Sequence, residues 1–406
     1  MEMGFSLVDY SRGQFTILIL INNRLLLLNI SSTYDVAIIG GGLAGLALSI
    51  QCVRAGYSTI VFEKEKYPFH KVCGEYVSLE SWNFLQELGV PLSDMDLPHI
   101  TRVTISSPNG KYIEHSLPLG GFGISRYTLD HILARIAKRE GVVLAEETKV
   151  ADVVYRNNSF VIFSSGGETE ATIVAGAFGK RGNLDAKWKR HFTQVKPNKL
   201  NHYLAVKYHI RTPIDDNLIS LHNFESGYCG ISRIEDGKSC LCYLTKSENI
   251  KKNNNNIRLM EEMVLMKNPF LKKIFSEAEF LYDSPLTISR ISFNKKTQVE
   301  NHVLMIGDAA GMITPLCGNG MSMALHGSKL AFEEINQFLQ KNTTRFELET
   351  QYTQQWEKHF GSRLQTGRLI QRFFGDDTLS NLLLSSLKPF PKFITYLIRQ
   401  THGQPF

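Results

Sequence analysis

No stretch of this 406-residue chain is apolar for long enough to cross a bilayer. The nearest approach, "FTILILINNRLLLLNI" (Phe15–Ile30), is broken by Asn22, Asn23 and Arg24, so neither half reaches the required length. No small-residue cleavage site follows, which disfavours a secretory signal. Residues 1–33 read as an apolar N-terminal extension ahead of a domain that begins near Tyr34. The rival reading is a weak anchor on a membrane surface. Cysteine is scarce and scattered: Cys52, Cys73, Cys229, Cys240, Cys242 and Cys317 have neither the density of a disulfide framework nor the spacing of a zinc site. A reducing, cytoplasmic setting is expected, with peripheral membrane contact as the alternative. Cys240 and Cys242 are two apart, which in a strand puts both on one face as packing residues. The twelve histidines form no HExxH spacing, and no metal is expected. Basic stripes are also missing: 45 Lys and Arg against 39 Asp and Glu, net +6, are interspersed. That excludes a nucleic-acid partner and leaves a mild attraction to phosphate-bearing ligands or anionic surfaces.

What the chain does have begins at "DVAIIGGGLAGLALSIQCVRAGYSTIVFEKE" (Asp35 to Glu65). A buried strand, a glycine turn, a helix over about Leu43–Ala55 and a second strand make a βαβ unit with parallel strands. In the turn, Gly40 permits the tight bend, Gly42 lets backbone approach a pyrophosphate, and Gly45 lets helix and sheet close up. The helix N-terminus then faces the negative charge. Glu63 ends the second strand, where an acid accepts ribose hydroxyls and disfavours a 2′-phosphate. The cradled group is therefore FAD or NAD rather than NADP.

A second motif far downstream separates these two. "HVLMIGDAAGMITPLCGNGMSMALHGSKLA" (His302 to Ala331) is a buried strand, a Gly307-Asp308-Ala309-Ala310-Gly311 turn, then Pro315 and Gly318-Asn319-Gly320 opening a helix. An NAD domain has no use for it. FAD carries ribityl hydroxyls that suit Asp308, and a flavin edge that gains negative charge on reduction, which amides around Gly318 to Gly320 stabilise. No second GxGxxG exists for a resident nicotinamide, so NAD(P)H or another reductant must visit as a transient donor.

The paired GxGxxG and GDAAG…P…G motifs, with "SRYTLDHIL" between them, resemble the flavoprotein superfamily of aromatic-ring hydroxylases and geranylgeranyl reductases over about Tyr34 to Gln340. "FHKVCGEYVS" (Phe69–Ser78) is similar to the Lys-x-Cys-Gly stretch of the geranylgeranyl reductase branch. The resemblance implies that Arg126 reaches the FAD backbone and that Lys71, Cys73 and Gly74 lie near the flavin ring. Motifs and resemblance together give the expected cofactor set: Gly40, Gly42, Leu43, Ala44, Gly45, Glu63, Lys64, Lys71, Cys73, Gly74, Arg126, Gly307, Asp308, Pro315, Gly318, Asn319, Gly320 and Met321. Cys73 is the only catalytic candidate, and a residue chosen for small size is the bland alternative; His70 and His326 flank the motifs and read as structural.

Two departures stand out. Hydroxylases carry an Asp in a GADG-like turn, where this chain has Gly176-Ala177-Phe178-Gly179; the Tyr-x-Trp-x-Phe-Pro-like strand of the reductases is reduced to "GYCGIS" (Gly227–Ser232). The Trp-x-Trp pair of flavin halogenases is absent, since Trp82, Trp188 and Trp356 stand apart.

The expected fold is α/β, a discontinuous Rossmann-like FAD-binding domain with an inserted α+β sheet domain for the substrate and a helical C-terminal tail. The FAD domain is placed at 34–185 and 286–344, the substrate domain at 186–285 with help from a hairpin near 100–118, and the helical region at 345–406. The expected function is FAD-dependent reduction of C=C bonds in an isoprenoid or other lipid-like substrate. The alternatives are a monooxygenase (hydroxylase or epoxidase) of an aromatic or polyketide-like compound, and a non-catalytic lipid-binding protein of related fold.

Overall fold

The computed structural model describes residues 5–8, 14–21, 24–31, 33–180, 182–196, 198, 201–314, 318–371, 381, 384–386 and 389–406, with the first three stretches and residues 370–371 described by backbone alone. Val36, Ala37 and Ile38 are fully buried, as a strand covered on both faces requires. Their strand, Thr33–Ile39, is central to an eight-stranded sheet, paired in parallel with Thr59–Phe62 on one side and Gly167–Gly176 on the other. Beyond these lie Val143–Ala145, and the antiparallel strands Ser159–Ser164 and Val150–Arg156. Val303–Met305 joins the end of Gly167–Gly176 in parallel, which brings the second glycine motif beside the first. The helix Leu43–Arg54 packs on Arg126–Glu140 and Gly320–Leu339, and their apolar residues form the main core.

The second sheet has nine strands, in the order Glu279–Phe280, Tyr203–Arg211, Ser239–Lys246, Gly227–Arg233, Leu218–Phe224, His99–Ser106, Tyr112–Gly123, Tyr76–Ser78, with Leu286–Ile291 also on Tyr203–Arg211. Side chains alternate along Tyr203–Arg211. Val206, Tyr208 and Ile210 enter a core with Phe224, Tyr243 and Leu271, while Ala205, Lys207 and His209 face the other way. The expectation that residue 286 begins the return to the first sheet is corrected here. Leu286–Ile291 alternates between exposed and covered positions, pairs antiparallel with Tyr203–Lys207, and the return comes at Val299–Glu300.

The expected C-terminal helices are Arg345–Gln371, packed on Gly320–Leu339, and Pro391–Thr401, packed on Tyr112–Gly123. Ile394 is buried beside Ile113, and Phe390, Phe393 and Tyr396 are exposed. The N-terminal extension forms an antiparallel meander of Phe5–Val8, Gln14–Ile21 and Arg24–Ser31, with Ile21 opposite Arg24. Among the described residues no helix is long and apolar enough to cross a membrane.

Candidate cofactor and substrate site

The helix Leu43–Arg54 starts at Gly42 with no side chain capping it and no acid in its first turn. Its leading N–H groups are left to an anion from outside the helix. Gly40 has φ +107°, and a Cβ there would lie 2.5 Å from the Ala177 carbonyl oxygen. A Cβ at Gly45 would lie 2.1 Å from the Gly40 oxygen, so this glycine sets how closely helix and strand approach. Gly41 is needed for a different reason: the Tyr67 hydroxyl donates to its carbonyl, occupying the space a side chain would take.

Two cations face this turn. A Cβ on Gly42 would stand 3.5 Å from Arg126 Nη2 and 3.7 Å from Lys71 Nζ. Both are held by Asp130, which accepts two 2.7 Å bonds from Arg126 and pairs with Lys71 Nζ at 3.0 Å. Burial works to raise the Asp130 carboxyl, but Arg126 and Lys71 overcome it and hold the group below its usual range. Glu63, buried at the end of its strand, accepts from the Gly41 N–H at 3.0 Å and the Glu65 N–H at 3.1 Å. Each carboxylate oxygen keeps capacity for a further donor.

On the opposite wall, Gly307 (φ +59°) brings the turn against Ala44, and Asp308 reaches the cavity with no hydrogen-bond partner for its carboxylate among the described residues. Lys296 Nζ donates to the Asp308 carbonyl at 2.8 Å, and burial pulls its ammonium down to about 8. The helix Gly320–Leu339 again starts without a side-chain cap or a first-turn acid. Gly318 (φ +67°) packs on the Tyr76 ring, placing this helix start beside the Lys-x-Cys-Gly loop.

That loop is held from outside itself. Lys207 Nζ donates to the Lys71 carbonyl at 3.1 Å, Lys180 Nζ to that of Val72 at 2.9 Å, and Cys240 Sγ to that of Cys73 at 3.2 Å. Glu75, wholly buried, accepts from Lys207 Nζ, from the Arg126 N–H at 2.7 Å and from His209 Nε2 at 2.6 Å. Its burial is outweighed by Lys207 and His209, which keep the carboxyl below its usual range.

One cavity of about 910 Å³ runs past all of these walls and on to the inner face of the second sheet. It is bordered by Gly40, Gly42, Leu43, Ala44, Glu63, Lys64, Lys71, Cys73, Gly74, Arg126, Gly307, Asp308, Gly318, Gly320 and Met321 of the expected set. Gly45 lies behind the turn instead. Asn319 is buried and donates from Nδ2 to the Thr401 carbonyl at 2.6 Å, so its side chain ties the loop to the C-terminal helix rather than lining the cavity. Pro315, and Cys317 with it, lie outside the described residues. Cys240 and Cys242 do share a face, Cys240 on the loop and Cys242 on the cavity.

Sequence reasoning missed Tyr67, Asp130, Glu75, Lys207 and Tyr282. Asp130 had a signal, since it stands four residues after Arg126 on one helix. Lys207 and His209 had another, as the two ionisable side chains two apart inside the otherwise apolar and aromatic run "YLAVKYHI". FAD fits these residues: uncapped amides and two cations for a pyrophosphate, Glu63 for a ribose, and an unpaired carboxylate beside a second helix start for ribityl and flavin. Bound there, FAD supplies two-electron redox chemistry.

Comparison with known proteins agrees. Residues 35–70 match the FAD binding domain family. The chain is 26% identical over 369 residues to conditioned medium factor receptor 1 of Dictyostelium discoideum, covering 84% of this chain and 71% of that protein. It is 24% identical over 379 residues to digeranylgeranylglycerophospholipid reductase 2 of Methanothermobacter thermautotrophicus, covering 87% and 91%. Its fold matches the flavin-dependent brominase Bmp2 with a TM-score of 0.74 at 21% identity, over 91% and 93% of the two chains. The motifs, the cavity and these likenesses support an FAD-dependent oxidoreductase, similar both to a digeranylgeranylglycerophospholipid reductase and to a flavin-dependent brominase.

Proposed function

We propose that this protein reduces carbon–carbon double bonds of an isoprenoid or similarly lipid-like substrate. The observation that carries the reading is the far end of the cavity, where Ile219, Leu221, Leu244, Leu286, Ile288 and Ile291 face the space next to the Lys-x-Cys-Gly loop. Such a wall favours an apolar chain, which gains from leaving water, with Ser232 and Thr287 as small hydroxyl neighbours alongside it. Arg126 and Lys71 hold the pyrophosphate, Asp308 orients the ribityl chain, and the amides at Gly318 to Gly320 steady the negative charge that reduction brings. Phe178 stands where hydroxylases have an acid, so that acidic contact is missing, and the charged neighbour on this side of the cavity is the cation Lys180.

The test is anaerobic photoreduction of the flavoprotein, mixing with a panel of unsaturated lipids and phenols, then admission of air. Flavin reoxidation by an unsaturated lipid without oxygen, yielding the saturated product, supports the reductase. Turnover that needs oxygen and leaves one oxygen atom in the product overturns it in favour of a monooxygenase. A purified protein that retains no flavin points to lipid binding without redox chemistry.

A further inference from the structure

Between the Lys-x-Cys-Gly loop and the strand Tyr203–Arg211 lies a line of titratable groups to which the proposed reaction gives no role. Glu75 Oε2 meets His209 Nε2 at 2.6 Å, and His209 Nδ1 meets the Tyr282 hydroxyl at 2.6 Å. That hydroxyl stands 3.2 Å from both ring nitrogens of His70, which stacks on partly exposed Tyr127 with centroids 4.6 Å apart. Both ends of the line, His70 and Glu75, border the cavity. Glu75, His209 and Cys240 also bring ligand atoms within 4.8 Å of one another, but Glu75 is already paired with the Lys207 ammonium.

We infer that Glu75, His209, Tyr282 and His70 form a proton relay, with His70 as the group that meets the substrate. The inference rests on the reductase reading, in which saturation needs a hydride at one carbon, carrying both electrons, and a proton at the other. In the loaded state the imidazoles hold one extra proton. His209 donates from Nε2 to Glu75 and from Nδ1 to the Tyr282 oxygen, the Tyr282 hydroxyl donates to one of the two His70 nitrogens that stand equally near it, and the remaining His70 nitrogen carries the hydrogen to be delivered. Transfer moves each hydrogen one place. The His70 N–H breaks as the substrate C–H forms, the Tyr282 hydrogen passes to His70, and the Nδ1 hydrogen of His209 passes to Tyr282. His209 is left neutral, still donating to Glu75, and solvent reloads the line from the Tyr127 side.

The surrounding charges suit a proton held briefly. Glu75 accepts from His209 Nε2 at 2.6 Å and from the Lys207 ammonium on its other oxygen, so one carboxylate serves both. Glu235 and Lys238 act from the turn before Ser239–Lys246. Burial, followed by Lys207 and His209, lowers His70 to about 4, so a proton placed there is given up readily. Negative charge gained in the cavity when the cofactor is reduced favours loading.

The test compares the FAD-loaded wild type with His209→Gln and Tyr282→Phe. The pH dependence of the two-electron potential counts protons bound on reduction. Wild type is expected to bind one more proton per two electrons than His209→Gln. Tyr282→Phe, which keeps the ring and breaks the line, is expected to slow anaerobic reoxidation by an unsaturated lipid about tenfold or more. Equal proton counts in wild type and His209→Gln, or a wild-type rate in Tyr282→Phe, overturn the relay. If no alkene reoxidises any of the three but the difference in proton count persists, the reductase reading fails and the relay stands. If His209→Gln retains no flavin, the rate of Tyr282→Phe decides.

Discussion

Gly41 and Gly45 are both glycines of the phosphate turn, yet substitution to alanine should fail at each for different and separable reasons. At Gly45 the added Cβ meets backbone, the Gly40 oxygen at 2.1 Å, with Ile38 and Ala177 behind at 3.2 Å. No side-chain change relieves that. At Gly41 the obstruction is the Tyr67 hydroxyl at 2.0 Å, and without it the next contacts are Glu63 Cβ at 3.1 Å and Tyr67 Cζ at 3.2 Å, tight but within reach of small shifts. Overpacking of this kind costs about 1–3 kcal/mol, and loss of the Tyr67 to Gly41 hydrogen bond costs about 0.5–1.5 kcal/mol. Gly41→Ala alone should therefore lower Tm by a few degrees and release flavin. Gly41→Ala with Tyr67→Phe should be no worse than Tyr67→Phe alone, a favourable coupling equal to the whole Gly41→Ala loss, about 1.5–4.5 kcal/mol. Gly45→Ala should gain nothing from Tyr67→Phe. The assay is a double-mutant cycle on thermal unfolding, with the flavin to protein absorbance ratio as second readout. Additive losses at Gly41 and Tyr67 would refute the steric argument.

Asp308→Ala should weaken FAD roughly ten- to hundredfold, the range for a hydrogen bond to a charged group, with unfolding of the flavin-free protein unchanged; titration of that protein with FAD measures it. Asp130→Asn leaves the largely buried Arg126 without its carboxylate, while Lys71 keeps Glu63 at 3.9 Å, so a loss of about 3 kcal/mol in stability is expected, read by denaturant unfolding. Lys296 supplies a pH test. Its ammonium is held at about 8, below its ordinary value of 10.5, so the folded protein releases this proton before the unfolded chain does. The penalty is fully present below pH 8, and stability from this group rises between about pH 8 and 10.5. Lys296→Met should flatten that rise, and an unchanged slope would count against the assignment.

The cofactor cradle was legible because its signals are local. Gly40, Gly42 and Gly45 sit within six residues, and Asp308 and Gly318 to Gly320 within thirteen, each on a strand-to-helix junction whose physics the sequence spells out. The relay was not legible because its members come from three separate segments, His70 and Glu75 from one loop, His209 from a strand and Tyr282 from beyond a later strand, and meet only through sheet register and the loop's path. Leu286–Ile291 was misplaced for a similar reason. A short alternating strand does not announce which sheet it joins, and its pairing with Tyr203–Lys207 is decided by a partner some eighty residues earlier. The clamp on the Lys-x-Cys-Gly loop was likewise hidden, since it uses backbone carbonyls that any sequence would have.

Among the described residues the chain passes between the two sheets four times: after Thr59–Phe62, after Tyr112–Gly123, after Gly167–Gly176 and after Leu286–Ile291. Neither sheet is thus a contiguous gene segment, and no single cut yields a cofactor module or a substrate module that stands alone. New substrate preferences cannot be acquired by swapping a cassette, as they can where domains follow one another like beads. On the function proposed above, they arise by point changes on the inner face of the second sheet, each tolerated only if the cradle threaded through it still closes.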